Sequence, residues 1–297
     1  MVQRFFCLRC GKSFSESQPL DGLRVDFKQA CQVVHLLCEG MGIRAIERFT
    51  QLNRRTVLGI LATAGEHCAR LLDAKIRNVK AEFVQADEMH GFVYSKPQNT
   101  ARDDTEHGEF YTYLSADKDS KLIINWRPAK RTPENTLAFV QDLKSRLDGR
   151  FQFTTDAMND YHRGNGAVRK VFGNEIDYAT ETKVYGKENN HPSQYFNPMV
   201  VVAIKRQRKI GNADLMMATT CHLERLNLSV RLFNRRFTRK TLGYSKKLEN
   251  LRHSVAILIA HFNFCRVHSA HGKTPANRGN KPRGIKWENS FCDFDWP

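Results

Sequence analysis

The amino-acid sequence predicts a mixed α/β domain that is preceded by a smaller all-helical segment. Apolar residues recur at a helical period of about 3.6 over residues 27–75, and short β-like runs begin near residue 80. Those runs alternate with helical patterns, and two long amphipathic helices follow them. Strands that are joined by both turns and helices are typical of one sheet with antiparallel and parallel pairs.

The chain has 297 residues, enough for about two domains. Its apolar fraction of 41% and charged fraction of 26% are ordinary for a folded protein. The longest apolar runs, residues 199–204 and 255–260, are too short to cross a bilayer, so no membrane association is expected. No charged-then-apolar leader opens the chain, which predicts a cytoplasmic protein.

The charge balance favours a polyanionic partner. Lys and Arg number 47 against 31 Asp and Glu, which gives a net charge of +16. Nucleic acid is the commonest partner of so basic a chain, although a basic protein without such a partner is the alternative. Charge alone predicts contact with a phosphate backbone and no sequence preference.

The first residues resemble part of a zinc ribbon. Cys7 and Cys10 form a Cys-x-x-Cys pair that is followed by a glycine. Tetrahedral zinc needs four ligands, and this pair supplies two. The next candidates are spaced as on an apolar helix face, which favours packing: Cys31, His35 and Cys38. We therefore expect a partial, half-site zinc ribbon over residues 1–24, whose other Cys-x-x-Cys lies upstream of Met1 or has been lost.

Residues 25–78 are predicted to form a helix-turn-helix DNA-binding domain. A short helix that contains Arg44 is followed by a tight turn, and Asn53 caps a second helix. The first turn of a recognition helix is where base-edge contacts are made. The candidate DNA-binding residues here are Arg44, Arg54, Arg55 and Thr56. An ordinary helical hairpin fits the same pattern.

Residues 80–270 are predicted to form the α/β domain, and residues 271–297 an irregular basic tail. The first strand covers Phe83 to Met89, and the fourth covers Arg150 to Thr155. A hairpin (110–115 and 121–127) and a helix that starts at Thr132 lie between them, so the first and fourth strands can lie side by side. The remaining predicted elements are a short helix at 167–172, strands at 176–185 and 199–204, a loop at 189–192, and helices at 222–240 and 245–264.

Three acidic residues are the candidate catalytic groups. Asp87 lies within the first strand, Asp156 ends the fourth, and Glu224 opens a helix. A carboxylate that is buried in a strand is costly unless it is paired or bound to a cation. Three carboxylates that converge would make an all-oxygen site, which Mg²⁺ and Mn²⁺ prefer. The alternative for each strand-end aspartate is a role in forming a turn.

Two arginines follow Glu224 on the predicted helix. At about 100° per residue, Glu224, Arg231 and Arg235 fall on one face, apart from the apolar stripe. A carboxylate with two arginines beside it suits a metal ligand next to DNA phosphates. A solvated charged face is the alternative.

Several blocks of the sequence resemble the DDE transposases of the insertion-sequence-one family. The three that carry the acidic residues are 85–92, 155–156 and His222-Leu223-Glu224-Arg225-Leu226-Asn227-Leu228. Further similar stretches are 239–246, 262–268 and 273–276. The resemblance extends over nearly the whole chain, and the block around Glu224 is its most specific part.

This resemblance implies an RNase-H-like catalytic domain in which Asp87, Asp156 and Glu224 hold two Mg²⁺ ions, with Mn²⁺ as a substitute. It implies that water attacks at the ends of a DNA element, and that the freed 3′-hydroxyls then attack target DNA without a covalent enzyme–DNA intermediate. The implied partners are double-stranded DNA (terminal repeats and target) and further copies of the chain, as a dimer or larger, in a bacterial, nucleoid-associated setting. The departure from the family is the missing first Cys-x-x-Cys, which affects the expectation of terminal-repeat binding.

Two other functions remain open at this point. A structure-specific nuclease with the same fold would hydrolyse DNA strands without joining them. A domesticated, non-catalytic DNA-binding protein would keep the helix-turn-helix alone, but it would have no reason to retain three carboxylates that are costly without a ligand.

Overall fold

A computed structural model describes residues 4–15, 23, 25–101, 103–187 and 199–278. The described part begins with a hairpin of two short antiparallel strands. Three helices follow it and precede the large sheet. These elements are β1 (Arg4–Phe6), β2 (Ser13–Ser15), α1 (Phe27–Cys38), α2 (Ile43–Thr50) and α3 (Arg54–Lys75).

The connection between α2 and α3 is fixed by side chains that cap the helices. Gln51 ends α2 in the left-handed region at φ 60°. The side chain of Asn53 accepts a hydrogen bond from the backbone N–H of Arg55 at 2.9 Å, and Glu47 accepts one from the N–H of Arg54 at 3.0 Å. These bonds satisfy backbone donors that the first turn of α3 would otherwise leave free. DNA binding by this helix pair stays a prediction.

The large sheet has six strands in the order β5-β4-β3-β6-β7-β8. Its strands are β3 (Phe83–Val93), β4 (Gly108–Asp117), β5 (Ile123–Ala129), β6 (Gln152–Asp156), β7 (Asp177–Lys187) and β8 (Met199–Ile210). β3, β4 and β5 pair antiparallel, β3-β6 and β6-β7 pair parallel, and β8 returns antiparallel to β7. The predicted RNase-H-like mixed sheet is confirmed, as is the pairing of its first and fourth strands.

Helices cover this sheet and share its core. They are α4 (Pro133–Arg146), α5 (Asn159–His162), α6 (Ala167–Phe172), α7 (Cys221–Phe233), α8 (Leu248–Ala260) and α9 (Pro275–Arg278). One hydrophobic core extends from α1 through the sheet to α9. At Gly65 of α3, an added Cβ would lie 2.3 Å from the Cβ of His253 on α8, so the two helices approach as closely as a glycine allows.

Several predicted elements have different ends in the structure, and three of them illustrate the physical reasons. The helix predicted over 222–240 stops at Phe233, because Asn234 leaves the helical region (φ −131°, ψ 107°) and its side chain caps the N–H of Arg236. The helix predicted at 245–264 begins at Leu248 and ends in a π-helical turn, His261–Cys265. The strand predicted at 199–204 continues to residue 210, because pairing with β7 extends through its basic half.

The loop predicted at 189–192 and the tail beyond residue 278 lie outside the described residues. The described part of the tail that was predicted to be irregular, 271–278, contains the short helix α9. Among the residues that are described, no helix combines the length and the apolar character that crossing a bilayer requires.

Candidate active site

An open cavity of about 850 Å³ lies where β3, β6, β7 and α7 meet. Acidic and basic side chains from all four elements line it. From β3 come Asp87 and Glu88, from β6 Asp156, from β7 Lys183, and from α7 Glu224 and Arg231. Parallel strands that end at one edge of a sheet are a common location for ligand sites.

Strand pairing brings Asp87 and Asp156 together. Ala86 of β3 is the register partner of Thr155 of β6, so the aspartate that follows each of them occupies the same level of the sheet. Asp87, Glu88 and Asp156 each offer a carboxylate oxygen, and these oxygens lie within 4.8 Å of one another. Two of the three residues expected from the sequence therefore lie side by side.

Asp87 is half-buried beside α7. It accepts a hydrogen bond from Nδ2 of Asn227 at 2.8 Å and one from the backbone N–H of Glu88 at 2.9 Å. Burial raises the pKa of Asp87 to about 6, and the negative charges of Asp156 and Glu224 add to that increase. A divalent cation beside Asp87 would offset both the burial of its negative charge and the repulsion from its acidic neighbours.

Glu88 is a site residue that the sequence reasoning missed. Its side chain is only 2% exposed, accepts a hydrogen bond from the hydroxyl of Tyr161, and lies 3.7 Å from Nη2 of Arg131. Burial raises the pKa of Glu88 to about 8, with further contributions from Asp156 and Asp87. The available signal was a second charged residue next to Asp87 inside a buried strand.

Glu224 lines the same cavity but is held apart from the acidic cluster. Its Oε1 accepts a hydrogen bond from the hydroxyl of Thr220 at 2.9 Å and forms an ion pair with Nζ of Lys183. Lys183 was not predicted as a site residue, because its approach to Glu224 depends on how β7 lies against α7. In the described structure, Lys183 thus neutralises the carboxylate that the sequence analysis assigned to metal binding.

The predicted DNA-binding residues fall into two groups. Arg231 lines the cavity, whereas Arg235 lies beyond the end of α7 and therefore leaves the predicted common face with Glu224. A Cβ added at Gly42 would lie 3.5 Å from Cγ of Arg235, which places that arginine beside the start of α2. The other group is not part of the cavity lining and lies on α2 and the first turn of α3: Arg44, Arg54, Arg55 and Thr56. Its three arginines are exposed and Thr56 is half-buried.

The Cys7–Cys10 pair lies in the turn between β1 and β2. Hydrogen bonds from the backbone and the thiol of Cys10, and from the backbone of Arg9, lower the pKa of the Cys7 thiol. A lowered thiol pKa favours the thiolate that zinc binds. Within the described ranges, no third His, Cys, Asp or Glu completes a metal-ligand group with this pair. Zinc binding stays a prediction.

The donor set of the acidic cluster suits a hard divalent cation. Carboxylate oxygens within 4.8 Å of one another repel unless protons or a cation separate them. Nearby, the buried Oδ1 of Asn227 has no hydrogen-bond partner in the described part of the chain. An uncompensated acceptor beside crowded carboxylates fits a site that a cation completes.

Three comparisons place the chain relative to known proteins. No protein-family model matches it, and no curated protein matches it. Among solved structures, the simian T-cell lymphotropic virus intasome in complex with PP2A regulatory subunit B56 gamma aligns at 17% identity and a TM-score of 0.39, covering 88% of this chain and 77% of that chain. The piggyBac transposase synaptic complex with hairpin DNA aligns at 11% identity and a TM-score of 0.42, covering 84% of this chain and 69% of that chain.

A nuclease is also similar to this chain. Endonuclease V from Bacillus subtilis aligns at 12% identity and a TM-score of 0.23, with 69% of this chain and 92% of that chain covered. The similar structures thus include transposase and integrase-type assemblies as well as a nuclease. TM-scores of 0.42 or less are too low for any of them to carry an argument about the site or the activity.

The crowding of the acidic cluster predicts a pH-dependent stability. We expect Glu88→Gln to stabilise the protein in EDTA by about 2 kcal/mol at pH 8 and by little at pH 4. The folded-state pKa of Glu88 is raised to about 8 from its ordinary 4.5, so the folded protein binds that proton more tightly than the unfolded chain. The free energy of unfolding of the wild type therefore falls as the pH rises from about 4.5 to about 8. Urea unfolding at several pH values measures the difference.

Glu175→Gln is the control for this measurement, because Glu175 is exposed and pairs with Lys144 at the surface. It should follow the wild-type pH dependence. A Glu88→Gln variant whose stability falls in parallel with that of the wild type would show that Glu88 is already compensated in the folded protein.

Proposed function

We propose that this chain is a DNA transposase of the insertion-sequence-one type, which cleaves at the ends of a DNA element and joins those ends to target DNA. The observation that carries the proposal is the convergence of Asp87, Glu88 and Asp156 within 4.8 Å in an open cavity that Glu224 also lines. The net charge of +16 supports a phosphate-backbone substrate. The assignment to the family rests on the sequence motifs around the three acidic residues.

The residues of the cavity have separate tasks in this proposal. Asp87, Asp156 and Glu224 would hold two Mg²⁺ ions, or Mn²⁺ in their place. When bound, such ions activate the attacking oxygen and stabilise the leaving oxygen in an in-line displacement at phosphorus. Asn227 holds the Asp87 carboxylate in position, and Arg231 at the cavity wall would bind a DNA phosphate.

The reaction consists of two displacements of the same kind. In the first, a water oxygen forms a bond to phosphorus at the end of the element, the P–O3′ bond breaks, and the 3′-oxygen leaves and takes a proton. In the second, that 3′-hydroxyl loses its proton and forms a bond to a target phosphorus, whose own P–O3′ bond breaks. Double-stranded DNA is the partner in both steps, and joining two ends requires at least two copies of the chain.

Recognition of the DNA end is assigned to the first turn of α3. We expect the double variant Arg54→Ala/Arg55→Ala to bind an end-containing duplex about tenfold to a hundredfold more weakly, because two exposed guanidinium groups and their base or phosphate contacts are lost. Fluorescence anisotropy at fixed salt measures this. Arg70→Ala/Lys75→Met, which removes two exposed positive charges further along α3, is the matched control and should bind as the wild type does. If both variants bound DNA equally weakly, the loss of positive charge alone would account for the weaker binding.

A strand-transfer assay tests the proposed function. Labelled duplexes from the DNA that flanks the coding sequence are incubated with a plasmid target and the protein, in Mg²⁺, Mn²⁺ or EDTA. Metal-dependent joined product supports the transposase. Metal-dependent cleavage without joining, even from precut ends with a free 3′-hydroxyl, would identify a structure-specific nuclease instead. Binding without either reaction would identify a non-catalytic DNA-binding protein.

A further inference from the structure

A second cavity, of about 430 Å³, lies on the other flank of α7. Its walls are α7, the turn between β4 and β5, and the segment 266–270 that follows α8. Arg225 lines both cavities, whereas none of the acidic cluster lines the second one. This cavity is therefore separate from the site proposed for DNA cleavage.

Three basic side chains converge on this cavity, and none of them forms an ion pair within the described ranges. Lys121 comes from the β4–β5 turn, Arg225 from α7, and Arg266 from the segment after α8. Within the described ranges, no carboxylate oxygen lies within 4.0 Å of any of the three side-chain cations, whereas other arginines and lysines of the protein form ion pairs. The one carboxylate at the wall, Asp117, accepts hydrogen bonds through Oδ2 from the backbone N–H of Ser120 at 2.8 Å and from its hydroxyl. Its Oδ1 has no hydrogen-bond partner in the described part of the chain, and the charges of Asp117 and Asp119 act on Lys121 from a distance.

The basic side chains also lie close to further basic groups. Nζ of Lys121 donates a hydrogen bond to the backbone oxygen of Lys118. Nζ of Lys121 lies 3.2 Å from Nδ1 of His222. Burial lowers the pKa of His222, and the positive charges of Lys121 and Lys118 lower it further. The pKa of His268, at the same cavity, is lowered by burial and by its neighbours His271, Lys121 and Arg266. The cavity is therefore a region of positive potential that a bound anion would relieve.

The cavity also has fixed geometry and an unused donor. The guanidinium group of Arg266 stacks on the ring of Phe233 at 4.0 Å, which holds its plane. At the wall, Gln85 is 2% exposed; its Oε1 accepts a hydrogen bond from the N–H of Leu223 at 3.2 Å. Its Nε2 has no hydrogen-bond partner in the part of the chain that the structure describes. Buried donors of this kind are ordinarily satisfied.

We propose that this second cavity binds a phosphate group. Two guanidinium groups and an ammonium group are the donors that proteins use for phosphate, and the guanidinium fork matches its oxygens in pairs. Leu226, Phe262 and Val267 provide an apolar wall next to the cations, and the volume is sufficient for a mononucleotide. The phosphate belongs either to a free nucleotide or to the backbone of a bound DNA. This inference does not depend on the proposed transposase activity.

Calorimetric titration of the full chain in EDTA tests the proposal, with inorganic phosphate, deoxyadenosine monophosphate and a short DNA duplex as probes. We expect Lys121→Met/Arg266→Ala to bind the probe about tenfold more weakly or worse, because two of the three charged donors are lost. The control Arg70→Ala/Lys75→Met removes the same charge from the exposed surface of α3 and should bind as the wild type does. Arg225→Gln gives a second cavity variant at an exposed position, which preserves the packing of Arg266 on Phe233.

The three probes separate the two sources of phosphate. Loss of binding for phosphate and the mononucleotide in both cavity variants identifies a small-molecule site. Loss confined to the duplex identifies a backbone contact. Absence of binding for every probe in the wild type, or equal loss in the α3 control, overturns the proposal. A chain that fails in strand transfer but binds phosphate in this cavity would leave the inference intact, so the two failures are distinguishable.

Discussion

Asp156→Asn should reduce metal-dependent joining of DNA ends by about a thousandfold or more, while DNA binding is retained or slightly strengthened. Asp156 ends β6 next to Asp87, and its carboxylate belongs to the cluster whose oxygens lie within 4.8 Å of one another. Asparagine keeps the shape and the hydrogen bond that Oδ1 accepts from the N–H of Met158 at 3.1 Å. It removes the negative charge that a divalent cation needs, and it also reduces repulsion of DNA phosphates.

The strand-transfer assay, run beside anisotropy with the same duplex, measures both parts of this expectation. Asp160→Asn is the matched control, because it makes the same chemical change four residues later, outside the acidic cluster. It should join DNA ends at close to the wild-type rate. Full activity of Asp156→Asn would remove Asp156 from the metal site, and loss of DNA binding would make its role structural.

Glu224→Gln should reduce joining about a hundredfold and raise the Mg²⁺ concentration that half-maximal activity requires. Glu224 lines the cavity, but its carboxylate is bound by Thr220 and by Lys183. Glutamine can still accept a hydrogen bond from Thr220, so the start of α7 should remain in place. Under the proposed function, its missing charge would leave one metal position without an anionic ligand. A titration of Mg²⁺ against initial rate measures both effects.

Lys183→Met is the informative companion variant for this titration. It frees Glu224 from its ion pair, so we expect half-maximal activity at a lower Mg²⁺ concentration than in the wild type. Thermal denaturation with and without Mn²⁺ provides a readout besides activity, since a metal that binds the folded state raises its stability. A wild-type metal requirement in both variants would mean that the Lys183–Glu224 pair lies outside the metal site.

The central part of the fold and of the site could be predicted because it depends on local patterns. A helix between the third and fourth strands of the sheet makes a parallel return possible, and this return brings Asp87 and Asp156 to one level. The first turn of α3 could likewise be located from Asn53 alone, since a side chain that caps a helix acts within its own turn.

The parts that were missed depend on tertiary contacts. Neighbouring side chains along a strand point to opposite faces of the sheet, so a site at Asp87 gave no reason to include Glu88. The contacts of Glu88 with Tyr161 and Arg131 form only when α5 and the β5–α4 turn are in place. The end of α7 at Asn234 was hidden because apolar residues continue at the helical period beyond it. Lys183 meets Glu224 through the position of β7 against α7, which no local pattern specifies.

The close approach of α3 to α8 at Gly65 has a consequence for how specificity could diverge. Because an added Cβ at this position would lie 2.3 Å from the Cβ of His253, α3 cannot be replaced as a separate unit. A helix taken from another protein would have to reproduce a glycine at the same depth and the same angle. Under the proposed function, new end sequences would be acquired through substitutions in the exposed first turn of α3, residue by residue, and the inner face of that helix would be inherited together with the α/β domain.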